Sequence, residues 1–229
     1  LGDEMMGSYQ RVISIGAHPL DAEILGGPLL LRYAAKGARC TTMHVTKGRL
    51  TGPDVTPAQQ AAYDKALREE MTQAAAALGC DCNALDYLSA ELPGTAEFTR
   101  LIADYLREQK ADCVITHARG TLHPRHYYTY ETVTEAVRLL RQEGLPIQLL
   151  YGENCEDLAG FTPTCYLTMT QQGLDAWLGA LRQYSIFNGK VNDMPYYEYY
   201  HSMAIIRSIE AGQHGFAKAY MHAALLDSE

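Results

Sequence analysis

No excess of basic residues offers this chain a footprint for phosphate. Lys and Arg total 19 against 27 Asp and Glu, a formal net charge of −8 over 229 residues, and the isoelectric point is near 5.5. An acidic chain of that kind points away from a nucleic-acid partner and from docking on an anionic membrane face. No apolar run approaches the ~20 residues that a membrane helix needs, so no membrane span is expected. The opening LGDEMMGSYQ has neither a basic n-region nor an apolar h-region, and no signal peptide is expected. Among the six cysteines there is no CxxC pair. Cys40 and Cys113 sit inside apolar, strand-like runs, where a free thiol behaves as a small hydrophobe, and a reduced, cytoplasmic setting is the expectation. A GxGxxG after the first strand is also missing. Gly26-Gly27 comes too late to cradle a phosphate, which disfavours a nucleotide-binding reading.

What is present is ordinary globular composition, 47% hydrophobic and 20% charged. Strand-like and helix-like segments alternate. The runs 11–16, 39–45, 84–88, 112–116 and 146–151 read as strands, and 21–36, 96–109 and 126–141 read as helices. Thr56 begins a further helix as an N-cap, with Pro57 at its first position and Gln59 placed for a capping box. Leu67, Met71, Ala74 and Leu78 form its buried stripe, and Gly79 stops it. The last third is less regular, with a strand near 165–170 and helices near 174–184 and 197–210. No linker or repeat divides the chain, so one α/β domain over residues 1–229 is expected. It is a Rossmann-like, three-layer fold with a mostly parallel sheet and helices on both faces.

Ligand sites in such sheets lie at the carboxyl ends of the strands. The first strand is followed by Ala17-His18-Pro19-Leu20-Asp21-Ala22-Glu23, and the fourth by His117 and then His123-Pro124-Arg125-His126. His18, Asp21 and His126 offer two imidazoles and a carboxylate, a catalytic-type metal set that leaves one position open. His123 stands one short turn from His126, placed to act as an acid or to orient a substrate.

Those residues carry a resemblance. Ala17-His18-Pro19-x-Asp21-Ala22-Glu23 followed by Gly26-Gly27 resembles the AHPDDxE…GG signature of the PIG-L/LmbE metal-dependent N-deacetylases, and His123-Pro124-x-His126 resembles that family's HPDH motif. Thr46-Lys47-Gly48 is similar to its TxG loop. Arg68-Glu69-Glu70 leading to Leu78-Gly79 is similar to its RxxE helix, and 215–220 to a degenerate form of its C-terminal G-x-x-A-E-x-F. The resemblance implies a Rossmann-like fold, one Zn2+ (or Fe2+) ion, and removal of an acetyl group from an N-acetylated amino sugar or similar amide. His18, Asp21 and His126 take the ligand roles by that match, and His123 the acid or oxyanion-orienting role.

Three positions depart from the pattern. Leu20 stands where the family has its Asp base, Arg125 where HPDH has Asp, and Lys218 where the C-terminal motif has Glu. Loss of a positioned base costs typically ~10²–10⁴ in rate. Weakened catalysis is therefore expected, or an inactive homologue that binds metal and ligand or regulates. Glu23, in the first turn of the first helix, is the candidate replacement among catalytic residues. Arg125 is the candidate for holding an anionic substrate group, and Glu153, after the fifth strand, is the better rim candidate beside Asp157. The expected partner is a small sugar or anionic amide, and oligomerisation is left open. The tyrosines at 196, 197, 199 and 200 read as packing over the sheet, and Cys80-Asp81-Cys82 as structural.

Overall fold

The β-branched and apolar runs become strands of one sheet. The computed structural model describes residues 7–225, so the first six residues of the opening segment lie outside it. In chain order the elements are β1 (Arg11–Gly16), α1 (Asp21–Ala35), β2 (Arg39–Thr46), α2 (Pro57–Ala77), β3 (Asp81–Tyr87), α3 (Thr95–Glu108) and β4 (Cys113–Thr116). They continue with α4 (Pro124–Gln142), β5 (Gln148–Gly152), β6 (Cys165–Met169), α5 (Gln171–Leu181), α6 (Tyr196–Glu210) and β7 (Phe216–His222). Among the described residues these strands form a seven-stranded sheet in the order β3-β2-β1-β4-β5-β7-β6. The first five pair in parallel, and β7 runs antiparallel between β5 and β6.

Alternate residues of β1 feed two cores. Val12 joins an apolar cluster with residues of α1, α2, α5 and α6. Ile13 and Ile15 join one with Phe98 and Ile102 of α3 and Val133 and Val137 of α4. Helices therefore cover both faces, as a parallel sheet requires. The Thr56 capping box forms in both halves. The tyrosine-rich segment opens α6, and Tyr200 is buried against Trp177 and Phe187.

Two differences from the sequence reading have local causes. The third strand begins at Asp81 rather than Ala84, because Asp81, Cys82 and Asn83, which have no strong strand preference, pair in register with Thr41, Thr42 and Met43. The strand β7 was not expected at all. Its third residue is Lys218, a buried lysine that spoils the alternation by which strands are read.

The order of strands reverses between β1 and β4, so their carboxyl ends open a crevice. Side-chain hydroxyls brace its floor. Thr116 Oγ1 donates to the Ile15 carbonyl (3.0 Å), and Thr46 Oγ1 donates to the Ala17 carbonyl (2.8 Å). The Gly26-Gly27 pair lets α1 sit close to its neighbours. A Cβ on Gly26 would stand 2.5 Å from Ser14 Oγ, and one on Gly27 2.4 Å from the Trp177 ring. That indole in turn donates from Nε1 to the Glu23 carbonyl (2.9 Å).

Candidate metal centre

Three loops meet at the crevice: 17–20 after β1, 117–123 after β4, and 153–157 after β5. Asp21 is the first residue of α1, and the turn that precedes it aims its carboxylate back. The His18 amide donates to Asp21 Oδ2 (2.8 Å). The same oxygen lies 3.1 Å from His18 Nδ1 and 3.3 Å from His126 Nε2. The imidazoles of His18, His123 and His126 also approach one another, each offering a nitrogen within 4.8 Å of the others. The three residues expected as ligands are thus brought together around one carboxylate oxygen.

Asp157, buried beneath them, fixes the rings. Its Oδ1 accepts from His126 Nδ1 (2.8 Å) and its Oδ2 from His117 Nδ1 (2.7 Å). The two rings stack at 4.0 Å between centroids. His117 Nε2 lies 3.6 Å from Asp21 Oδ2, but its lone pair accepts the Ala17 amide (2.9 Å). With Nδ1 donating and Nε2 accepting, His117 is a neutral strut rather than a free ligand. Burial, and then the charge of His126, hold it below its ordinary pKa.

His126 behaves oppositely. Burial pulls its pKa down, but Asp21 and the hydrogen bond to Asp157 outweigh it, and it rises to about 10. Asp21 is opposed by its own burial too, yet the charge of His126 and the hydrogen bonds of His126 and His18 hold it well below the ordinary carboxylate range. Asp157 is depressed in the same way, burial being overcome by its two histidine hydrogen bonds. Two buried carboxylates thus face one protonated imidazole. A divalent cation replacing the proton on His126 Nε2 fits this charge, and the Asp157 contact is the outer support that histidine ligands use. The donor set of His18, Asp21 and His126 suits a metal.

His123 is the N-cap of α4. Its Nδ1 accepts the Arg125 amide (3.3 Å), and Pro124 follows at the first helical position. Burial, then the neighbouring His126 and His18, lower its pKa to about 4. It is therefore neutral near pH 7, with its proton on Nε2.

The remaining expected residues are placed elsewhere. Glu23 is fully buried and engaged below the cluster, with Oε1 3.1 Å from His44 Nε2. His44 donates from Nδ1 to the His18 carbonyl (3.2 Å). Burial disfavours charge on His44, but Glu23 and Cys82 raise it to about 10. The pair supports the ligand loop from beneath. Glu153 is not a rim residue, being 2% exposed with its carboxylate held by Arg207. Of the two acids that the sequence reading weighed after β5, Asp157 reaches the histidines and Glu153 does not, the reverse of the sequence preference. Arg125 is half-buried and makes no hydrogen bond or ion pair through its guanidinium among the described residues. Leu20 is 5% exposed within the apolar cluster on the α1 face, with φ at 86°. That left-handed backbone costs a leucine on the order of 1–3 kcal/mol and sits between two ligand positions.

Sequence reasoning missed His117, Asn154 and Glu156. Asn154 Nδ2 donates to Asp21 Oδ1 (3.1 Å). His117 had one available signal, its place directly after β4. The loop after β5 carries no motif that separates its acids from one another. A groove of about 570 Å³ between α3 and α4, lined by Thr99, Arg100, Arg119 and Tyr130 among others, contains none of these site residues.

The profile of the PIG-L family, described as GlcNAc-PI de-N-acetylase, matches residues 13–137. No curated protein matches the chain significantly. Solved structures of similar fold include GalB, the 4-carboxy-2-hydroxymuconate hydratase from Pseudomonas putida KT2440 (TM-score 0.77, 17% identity, covering 96% of this chain and 98% of that one). They include the N,N'-diacetylchitobiose deacetylase from Pyrococcus horikoshii (TM-score 0.73, 18% identity, 94% and 84%). They also include the zinc-inhibited form of teicoplanin deacetylase Orf2 (TM-score 0.71, 14% identity, 93% and 99%).

Proposed function

The chain belongs to the PIG-L (GlcNAc-PI de-N-acetylase) family, and from that membership we propose that it is a divalent-metal hydrolase. It removes an acyl group, acetyl first among them, from an N-acylated amino sugar or a related amide. The observation that carries this reading is the convergence of His18 Nδ1 and His126 Nε2 on Asp21 Oδ2 at the sheet's carboxyl edge. When bound there, the ion supplies acidified water, with a pKa of ~7, and a Lewis acid for the amide carbonyl. The ligand types favour zinc, with Fe2+ the alternative, since affinity order alone does not set occupancy.

The protein's own groups divide the work. Asp157 holds His126 so that only Nε2 faces the cluster. His123, neutral and capped at Nδ1, offers Nε2–H to the carbonyl oxygen as charge builds there, an oxyanion donor of the kind whose loss costs about 10²–10³ in rate. Glu23 and His44 hold the His18 carbonyl. Arg125, whose guanidinium has no ion pair among the described residues, takes a carboxylate or phosphate on the substrate. Leu20 cannot accept a proton, which supports slower turnover than a site with an acid at that position would give.

The test is acetate release from N-acetyl-D-glucosamine and from its carboxylated relative N-acetylmuramic acid, by zinc-loaded and chelated protein. Release that needs zinc supports the proposal, and preference for the acid that disappears in Arg125→Ala supports the Arg125 role. Zinc bound without release from either compound would favour the binding or regulatory reading. A second reading, addition of water to a carboxylated unsaturated acid, draws on the unpaired Arg125 and on the name of the Pseudomonas relative. Consumption of such an acid, with no acetate release, would favour it.

A further inference from the structure

We propose that Glu156 is the general base of this site, taking the proton from the water that attacks the amide. The inference rests on the amide-hydrolase reading and adds a residue to it.

Every other acid around the crevice is already engaged. Asp21 Oδ2 holds the ligand position, and its Oδ1 accepts from Asn154. Both oxygens of Asp157 are taken by histidines. Glu23 is fully buried, with one oxygen on His44 and no access to entering water, and Glu153 is bound to Arg207. Among the described residues, Glu156 alone brings a carboxylate to the cluster with no competing partner. Its Oε2 lies 3.6 Å from His126 Nε2, and its side chain is 54% exposed, so it stands on the open side where substrate and water enter.

The loop that carries Glu156 is tied to the centre at three points. The Glu156 amide donates to Asn154 Oδ1 (3.0 Å), while Asn154 Nδ2 donates to Asp21. One residue on, Asp157 anchors both stacked histidines. Behind the loop, the buried Lys218 donates from Nζ to the Glu153 carbonyl (2.5 Å). The backbone at 156 is therefore fixed, while the half-exposed carboxylate has no hydrogen-bond anchor among the described residues. That combination suits a proton carrier better than a ligand, which would be locked.

The step balances without another reactant. Water oxygen bonds to the amide carbon, and its proton passes to a Glu156 oxygen. His123 Nε2–H stabilises the oxygen that takes the carbonyl electrons. The C–N bond then breaks as Glu156 returns its proton to the departing nitrogen, which leaves as an amine; the proton still on the new carboxylic acid then passes to that amine, giving a carboxylate and an ammonium.

The experiment compares zinc-loaded wild type, Glu156→Gln and Glu156→Asp. It measures kcat and KM for N-acetyl-D-glucosamine, zinc affinity by chelator competition, and the crystal structure of the zinc-loaded protein. Glu156→Gln should lower kcat by about 10²–10⁴, with KM and zinc affinity within about threefold, and Glu156→Asp should retain more activity than Glu156→Gln. The zinc-loaded structure should place a Glu156 oxygen within hydrogen-bond reach of the solvent in the open position. A kcat within about threefold of wild type would overturn the proposal. So would a loss of zinc affinity matching the loss of kcat, which would make Glu156 a ligand. If the wild type releases no acetate, the hydrolase reading fails, and Glu156 is then no base for amide cleavage. Its zinc affinity and crystal position would still separate a residue facing the open position from one that ligates or turns to solvent.

Discussion

The loops after β1 and β4 differ from the loop after β5 in what they give the centre. The first two, with the helix starts that follow them, supply the atoms proposed to hold a metal: His18, Asp21 and His126. The third supplies what fixes and serves them, with Asn154 on Asp21, Asp157 on two histidines and Glu156 at the open side. The ligand loops begin at the switch point of a parallel sheet, where any chain of this topology opens a crevice. The third loop follows the last strand before the antiparallel β7, and is held in place by Arg207 and Lys218 from outside the parallel core. Ligand identity and ligand orientation are therefore built by separate parts of the molecule, and can be disturbed separately.

The largest disturbance should come from the support beneath the rings. Asp157→Ala frees His117 and His126 together, and zinc affinity, read by chelator competition, should fall about 10–100-fold with the fold intact by circular dichroism. A loss below about threefold would mean that stacking alone orients His126. Proton competition comes next. In the metal-free protein His126 keeps its proton up to about pH 10, so an ion must displace it, and lower pH must weaken binding. Zinc affinity should rise about tenfold per pH unit between about pH 6 and about pH 8. A flat profile would show that His126 binds the ion without losing a proton. The smallest effect on metal should follow Glu153→Ala. It removes the partner of a buried arginine, and stability should fall by about 2–3 kcal/mol. That is less than the ~3–5 kcal/mol of a fully broken buried pair, because Glu210 still holds Arg207 Nη1. Zinc affinity should nevertheless stay within about threefold, since Lys218 holds the backbone of that residue. A parallel loss of metal would merge the two roles that the loops separate.

The same division explains what could be read from the sequence. β1, β2 and β4 announce themselves as apolar, β-branched runs, and the residues after β1 and β4 are local motifs with fixed spacing. That His18, Asp21 and His126 would meet was legible for that reason, and so was the parallel sheet. β7 was hidden by Lys218, whose burial is sustained by the Glu153 carbonyl and the faces of Trp177 and Tyr200. None of those contacts is local in sequence. Asp157 and Glu153 look alike from their distance to β5. Only the backbone path shows that one turns toward histidines and the other toward Arg207 on α6. Glu156 had no signal at all, because its role depends on a ring 30 residues earlier in the chain.

The proposed site holds one divalent ion between His18, Asp21 and His126. Elemental analysis of protein purified without chelator, beside the His126→Ala variant, tests it most directly. Wild type should carry about one equivalent of metal per chain, and the variant less than about a tenth of that. Equal metal in the two proteins would contradict the account.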